Sequence, residues 1–285
     1  MAGFRFLEGM AAVFLAVGAV ALTALPASAD ATRKFSKFAK RSAKVVDHRA
    51  WDKLLKAYVV VGGNGLNRVR YRAFKGGGHG ALKAYVKALE AVRPATLARP
   101  EQFAYWVNLY NAKTIDVVLD AYPVKSIREI SIKGGLLGFL KKSVGKGGPW
   151  KAKVMKVEGE ELSLDDIEHG ILRPIFKDPR VHYAVNCASV GCPNLQTSAF
   201  AGAKLDAMLE AGAKAYVNSW RGFQARDGKI YASSIYNWFK ADFGGNAKGV
   251  LRHAAKYAAP KLKAKLAAAG GIADYGYDWG LNDAK

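Results

Sequence analysis

The residues best suited to chemistry lie close together in the segment HYAVNCASVGCP, which runs from His182 to Pro193. It holds a histidine, an asparagine, a serine and both of the chain's cysteines, Cys187 and Cys192. A cysteine thiol becomes a useful nucleophile when a nearby imidazole lowers its pKa. Two cysteines in an exported chain can equally form a disulfide. The segment is therefore either a reactive centre or a disulfide-clipped turn.

The candidate bases for Cys187 are His169 and His182, and Glu168 stands beside His169, where it could orient an imidazole. Apolar residues alternate from Arg180 to Cys187, which predicts a strand. On a regular strand His182 and Cys187 point to opposite faces. His169 is then the better base, unless a bulge or turn precedes Cys187, and the residues alone do not decide between the two histidines.

A metal site is a third interpretation of the same residues. Thiolates, imidazoles and the Glu168 carboxylate are all zinc ligands. However, the cysteines are spaced C-x4-C, and no second compact pair of ligands accompanies them. We therefore predict no metal and no cofactor.

A long helix, PEQFAYWVNLYNAKTIDVVLDAY, is predicted from Pro100 to Tyr122. Proline is well placed in a first helical turn, and Pro123 stops the helix. The segment is apolar nearly all round, which is typical of a buried helix.

This helix carries two polar stripes. Asn108 and Asn111 lie on one face, and buried amides need partners. They either tie down neighbouring loops or, with Asn186, donate to an oxyanion. A second stripe, Lys113, Asp116 and Asp120, is predicted to face solvent.

Further helices are predicted at His48–Val61, around residues 82–89, from Ser163 to Arg173 before Pro174, and around residues 203–219, 233–243 and 248–269. Helix outweighs strand, and the strands are placed irregularly. The predicted fold class is α+β, helix-rich, with a small mixed or antiparallel sheet.

The N-terminus reads as a secretory signal peptide. Arg5 precedes an apolar run, and Ala27-Ser28-Ala29 supplies small residues for a cut after Ala29. The alternative is an uncleaved membrane anchor. We expect a leader over residues 1–29, a basic lead-in over 30–47 and one globular domain over 48–285. The protein would then be exported, either periplasmic or secreted.

The formal net charge is +21, with 44 lysines and arginines against 23 acidic residues. Such a balance favours an anionic partner, either an envelope polymer or a membrane surface, and export argues against nucleic acid. Residues 133–156 are rich in glycine and lysine and predict a basic flap. They are not a phosphate-binding loop, because Gly147 follows Lys146 where that motif needs serine or threonine.

Four segments carry a family resemblance: QFAYWVNLYNAKTI (102–115), LDDIEHGILRP (164–174), DPRVHYAVNCASVGCPNL (178–195) and YDWGLN (277–282). Together they resemble the domain of unknown function 547 family over roughly residues 50–282. The family has no settled activity.

The resemblance implies that Asn108, Asn111, Glu168, His169, Arg173 and His182 share one site with Cys187. Arg173 and the asparagines would then serve substrate binding. Some relatives have serine at the place of Cys192, which implies that a disulfide is not the motif's general purpose.

Two functions follow as expectations. The first is a thiol-dependent hydrolase or acyl transferase that acts on an amide, ester or peptide bond, with a papain- or transglutaminase-like architecture as the analogy. Both histidines precede the cysteine, which departs from the nucleophile-first order of that analogy. The second is a non-enzymatic envelope protein that binds anionic polymers or lipid headgroups through its basic surface.

Overall fold

A computed structural model describes residues 27–132 and 148–284 of the chain. The predicted leader before residue 27 and residues 133–147 of the predicted flap lie outside the described residues. The α-helices in chain order are α1 (Ala27–Phe35), α2 (Arg49–Tyr58), α3 (Tyr71–Gly77), α4 (His79–Glu90), α5 (Arg99–Ala121), α6 (Leu205–Val217), α7 (Ile235–Trp238), α8 (Ala247–Ala255) and α9 (Pro260–Ala268). A π-helix spans Asp166–Phe176, and 3-10 turns include Pro179–Tyr183, Gly202–Lys204 and Lys240–Phe243.

Helix α5 runs through the middle of the main hydrophobic core. It is buried from Glu101 to Leu119, because α3, α4, α6, the π-helix and the Gly202–Lys204 turn all pack against it. The predicted helix from Pro100 to Tyr122 is confirmed to within one residue at each end. An all-round apolar sequence produced an all-round buried helix.

The strands are short and form three small sheets. They are β1 (Val59–Val61), β2 (Asn67–Val69), β3 (Met155–Val157), β4 (Glu160–Leu162), β5 (Phe223–Arg226), β6 (Lys229–Ser233) and β7 (Asp274–Gly276). The pairs β1–β2, β3–β4 and β5–β6 are antiparallel, and β7 joins β6 in parallel. In the β5–β6 hairpin Asp227 and Gly228 both have positive φ, as a two-residue hairpin turn requires. The helix-rich α+β class with small sheets is confirmed.

A second hydrophobic cluster lies beside the main core and is strongly aromatic. Tyr183, Tyr216, Tyr236 and Phe243 are each at most 2% exposed. His253 belongs with them, since its Nε2 lies 2.9 Å from the Tyr183 hydroxyl. This cluster joins α6, the β5–β6 hairpin, α7 and α8 into one packed unit.

The C-terminal tail crosses back to the N-terminal half of the chain. Leu281 donates its N–H to the carbonyl of Lys125 at 2.8 Å. Asn282 donates its N–H to Ala188, accepts from the N–H of Val69, and receives the Tyr71 hydroxyl on its side-chain oxygen. The tail is thus fixed by buried hydrogen bonds from several elements.

The predicted strand from Arg180 to Cys187 is wrong. Pro179 opens a 3-10 turn that extends to Tyr183, and the following residues are irregular. The loop is packed on both sides, and its alternating apolar residues are therefore buried without forming a strand. Alternation of apolar residues was not a reliable sign of a strand in this segment.

The predicted end of the helix at Arg173 is also wrong, because the π-helix continues through Pro174 to Phe176. Proline has no N–H to offer the carbonyl one turn earlier. In a π-helix that carbonyl belongs to His169, five residues earlier. The carbonyl of Gly170 accepts a hydrogen bond from Thr32 Oγ1, which ties α1 to this helix.

Other boundaries differ for local reasons. The helix predicted at His48–Val61 ends at Tyr58, where β1 begins. The segment predicted as one helix over residues 248–269 is two, because Pro260 starts α9.

Two predicted surface features are packed inside the described residues. The stripe on α5 predicted to be solvated is largely buried, with Lys113 and Asp116 at 7% and 2% exposure. The basic lead-in is partly helical, and Phe35 packs edge-on against Trp106. Within the described residues there is no helix long and apolar enough to cross a bilayer.

Candidate functional site

The candidate site is a cavity of about 200 Å³ that both cysteines help to line. Helix α5, the segment Asp165–His169 and the Pro179–Tyr183 turn supply its polar groups. These groups are Tyr110, Asp165, Glu168, His169 and His182. Its aromatic walls are Trp150, Trp238, Phe239, Tyr277 and Trp279. An apolar cavity with a few convergent polar groups is the usual form of a small-molecule site.

Amide side chains shape the loop that carries the cysteines. Asn111 on α5 donates to the carbonyl of Ala184 at 2.9 Å and accepts the N–H of Asn186 at 2.8 Å. Asn186 in turn donates to the carbonyl of Pro193 and accepts the N–H of Ala188. Because these groups are buried, each unmade bond would be costly. The loop is therefore held in one shape by α5.

Asn108 serves a neighbouring loop in the same way. Its amide donates to the carbonyl of Phe200 at 2.8 Å and accepts the N–H of the same residue at 3.0 Å. Asn108, Asn111 and Asn186 are absent from the cavity lining. The contacts show that the three asparagines position the backbone of neighbouring loops. They do not favour the predicted role of these amides as donors to an oxyanion.

His182 is held by Asp242, a residue that we did not predict. His182 Nε2 and Arg173 Nε lie 2.7 Å and 2.6 Å from the same oxygen, Asp242 Oδ2. Burial raises the pKa of Asp242, but hydrogen bonds from His182 and Arg173 outweigh it and hold that pKa well below its ordinary value. The ionised carboxylate only accepts, so His182 Nε2 is the donor and the lone pair of the neutral ring lies on Nδ1.

His169 is the more accessible histidine, with a side chain 33% exposed. Arg173 Nη1 lies 3.2 Å from its Nδ1 and can only donate, so the neutral ring carries its proton on Nε2. That nitrogen lies 3.9 Å from Asp165 Oδ1. Burial raises the pKa of Asp165; His169 opposes the shift and Glu168 adds to it.

Glu168 lies between the two rings and contacts both. Its Oε1 is 3.9 Å from His182 Nδ1 and 4.0 Å from His169 Nδ1. It also hydrogen-bonds Tyr110, whose pKa is raised well above its ordinary value by burial and then by Glu168. Glu168 was predicted to orient one imidazole, and the geometry places it against two.

Cys187 and Cys192 form a disulfide at the edge of this cavity. Cys187 is half-buried, whereas Cys192 is 2% exposed. The Tyr277 hydroxyl lies 3.0 Å from Cys187 Sγ and 3.1 Å from Cys192 Sγ, and the Cys187 N–H donates to Cys192 Sγ at 2.9 Å. Burial raises the pKa of Tyr277 well above its ordinary value, so this hydroxyl remains a donor.

The site residues that the sequence did not predict lie mostly in the C-terminal part of the chain. Asp242 lies in a 3-10 turn with no motif around it. Tyr277 and Trp279 belong to the quoted YDWGLN segment, which contributed to the family resemblance but was given no site role. Trp279 packs against Trp150 and Trp238 with ring centroids 5.7 Å and 5.6 Å apart.

One cluster among the described residues has the spacing of a metal site, at some distance along the chain from the cysteines. Ligand atoms of His79, Asp116 and Asp120 lie within 4.8 Å of one another. Lys83 Nζ lies 3.1 Å from Asp116 and 3.0 Å from Asp120, and Lys113 Nζ lies 2.9 Å from Asp116. The lysines already neutralise these carboxylates, so the cluster fits an ion-pair network better than a cation site.

Fold and cavity together define a helix-rich α+β protein whose candidate site is built around a cysteine pair. Residues 94–217 match the family model described as "Protein of unknown function, DUF547", which supports the family resemblance of the sequence motifs. The match includes α5, the π-helix, the cysteine loop and α6, and ends before Asp242, Tyr277 and Trp279. No curated protein and no solved structure matches the chain. The papain- or transglutaminase-like architecture stays a prediction.

Proposed function

We propose that the protein is a thiol-dependent hydrolase or acyl transferase that acts on an amide, ester or peptide bond. The observation that carries this proposal is the convergence of Cys187, Glu168, His169 and His182 on one aromatic-walled cavity. Reduced Cys187 is the nucleophile. Such a cysteine needs a base close by, and the base needs a group that orients it.

The hydrogen bonds suggest a role for each imidazole. His182, oriented by Asp242 through Nε2, accepts the thiol proton on Nδ1. The His182 imidazolium then returns that proton to the leaving group, and His169, neutral with its proton on Nε2, donates a hydrogen bond to the substrate. The Tyr277 hydroxyl, 3.0 Å from Cys187 Sγ, is placed to donate to the oxyanion that forms on a carbonyl attached to that sulfur.

The disulfide makes this activity conditional on reduction, because it occupies the sulfur that must attack. A Cys192→Ser variant cannot form the disulfide and keeps the proposed nucleophile. We expect the wild-type protein to acylate only after reduction, and the Cys192→Ser variant to acylate without it.

The test uses p-nitrophenyl acetate as an activated ester, with the acyl adduct located by peptide mass spectrometry. The expected result is an acetyl group on Cys187, release of nitrophenol beyond one equivalent, and loss of both in Cys187→Ser. Equal labelling of both cysteines, or turnover no faster than with urea-unfolded protein, would contradict the proposal.

A second candidate is non-enzymatic binding of an anionic envelope polymer or lipid headgroup, favoured by the net charge of +21. Export to the periplasm or outside the cell belongs to both candidates. Binding to vesicles that contain phosphatidylglycerol, weakened by salt and unchanged in Cys187→Ala, would support this function if no acylation is found.

A further inference from the structure

We propose that Cys187 and Cys192 form an exchange-active disulfide: a cysteinyl thiol that enters the cavity attacks Cys187 Sγ, and Cys192 leaves as the thiolate. This activity is separate from acyl transfer. It can be present whether or not reduced Cys187 goes on to attack a carbonyl.

The difference in exposure selects the sulfur that is attacked. Both cysteines line the cavity, but Cys187 is half-buried and Cys192 is 2% exposed. An incoming thiolate needs access to the sulfur with which it bonds. Cys187 therefore forms the mixed disulfide, and Cys192 is the sulfur that is released.

Two hydrogen-bond donors lie beside Cys192 Sγ, the sulfur that is released. The Cys187 N–H lies 2.9 Å from Cys192 Sγ, and the Tyr277 hydroxyl lies 3.1 Å from it. Hydrogen bonds to an ionised acceptor are stronger than those to a neutral one. They stabilise a thiolate at Cys192 more than they stabilise the disulfide, which makes Cys192 the better leaving group.

A buried arginine adds a positive charge on the same side. Arg221 is 6% exposed, and its guanidinium donates to the carbonyls of Cys192, Val190 and Gly65 and to Asn194 Oδ1. These acceptors are all neutral, and among the described residues no carboxylate lies within ion-pair distance of Arg221. A cation without a counter-ion favours a nearby thiolate, because opposite charges attract strongly in a low-dielectric interior.

The exchange balances with two thiols and no other reagent. A first thiolate forms a bond to Cys187 Sγ, the Cys187–Cys192 bond breaks, and the Cys192 thiolate takes a proton from solvent. A second thiol attacks the mixed disulfide at the substrate's sulfur. The products are a substrate disulfide and reduced protein, so the cysteine pair is reduced and the substrate thiols are oxidised.

The size of the cavity limits the substrate. About 200 Å³ with aromatic walls accommodates a cysteine side chain and the atoms next to it. Glutathione, a small cysteinyl peptide, is therefore a suitable probe.

The first experiment locates the attack in the full oxidised chain. Glutathione is added at pH 7, the reaction is quenched with acid at intervals, and peptides are mapped by mass spectrometry. We expect the early adduct on Cys187, formed at least about tenfold faster than in urea-unfolded protein, since the folded site stabilises the leaving thiolate. An early adduct on Cys192, or a native rate no higher than the unfolded rate, would overturn the proposal.

The second experiment removes one donor. Tyr277→Phe should slow formation of the adduct about tenfold to a hundredfold, the usual effect of losing one hydrogen bond to a charged acceptor. Tyr275→Phe removes the same atom two residues away and should leave the rate unchanged. Equal rates in both variants would show that Tyr277 does not assist the leaving sulfur. Neither readout depends on acyl transfer, so failure of one proposal is distinguishable from failure of the other.

Discussion

At the scale of single residues, the site depends on Asp242 as much as on the residues of the family segments. One of its oxygens accepts hydrogen bonds from both His182 and Arg173. Its side chain is 26% exposed, so solvent replaces these bonds only in part. Asp242 thereby fixes which nitrogen of His182 carries the proton.

Asp242→Ala should lower the free energy of unfolding by about 2 kcal/mol, because Arg173 and His182 lose a shared, partly buried acceptor. Urea denaturation at pH 7 measures this. The matched control is Asp206→Ala, whose carboxylate is 86% exposed beside Arg180. Its removal should change stability by no more than about 0.5 kcal/mol. Equal losses in the two variants would show that Asp242 is no more than a surface partner.

Asn111→Ala should cost about 3 kcal/mol, because it leaves the buried carbonyl of Ala184 and the N–H of Asn186 without partners. Asn64→Ala is the control, because Asn64 is exposed and accepts a single N–H, that of Leu66. It should cost less than about 1 kcal/mol. Thermal unfolding of the two variants separates the positioning role of Asn111 from a surface role, and a small loss in Asn111→Ala would contradict that role.

Residue types predicted part of the site and could not predict the rest. Cys187, Glu168, His169 and His182 are scarce, reactive types close together in the chain, and all four line one cavity. Asp242 lies sixty residues from His182, and no local pattern marks it. Its role depends on the packing of the second aromatic cluster, which is a tertiary effect.

At the scale of elements, the junction between α5 and the Gly202–Lys204 turn is unusually close. Glu101, near the start of α5, accepts the N–H of Gly202 at 2.9 Å and that of Val46 at 2.9 Å. A Cβ on Gly202 would lie 2.7 Å from the backbone nitrogen of Glu101. Only glycine allows this approach without a shift of the helix or the turn.

Gly202→Ala should therefore destabilise the protein by about 2 kcal/mol, the usual cost of forcing atoms into a packed junction. Gly80→Ala, in helix α4, places its Cβ in open space. It should instead stabilise by about 0.5 kcal/mol, since alanine loses less backbone entropy than glycine in a helix. Urea midpoints of opposite sign would support this account, and two losses of similar size would contradict it.

Local signals placed α5 well and placed the segments around the cysteines poorly. Prolines at both ends and an all-round apolar sequence define α5 without help from other elements. The helix that contains Pro174 is a π-helix, a rare form that the local sequence does not signal. The segment after Pro179 is not a strand because Asn111 holds its backbone in another shape. This second failure comes from a tertiary hydrogen bond.

At the scale of the whole molecule, acid stability should reflect a buried histidine. Burial, followed by the charges of Lys256 and His182, lowers the pKa of His253 to about 4, with Asp178 opposing. In the unfolded chain His253 binds a proton below about pH 6.5. In the native state it binds this proton only below about pH 4. Stability should therefore fall as the pH drops through this interval.

The expected loss between pH 6.5 and pH 4 is about 3 kcal/mol. Urea unfolding at half-unit steps of pH measures it, and His253→Gln should flatten the curve there. His48, whose pKa is also lowered by burial, leaves a smaller slope of the same sign in that variant. An unchanged slope in His253→Gln would refute the assignment. Asp242, with its pKa held low, loses its contribution only at more acidic pH.

The order in which the chain is made has a consequence for the site. Tyr277 and Trp279 reach the cavity on a segment fixed by Leu281 and Asn282. Tyr277 is synthesised 85 residues after Cys192. A nascent chain can form α5 and the cysteine loop, yet its cysteines then lack the tyrosine hydroxyl and the indole wall. The site is therefore complete only after these later residues have been made, and a product that stops before Tyr277 would lack the hydroxyl beside both sulfurs.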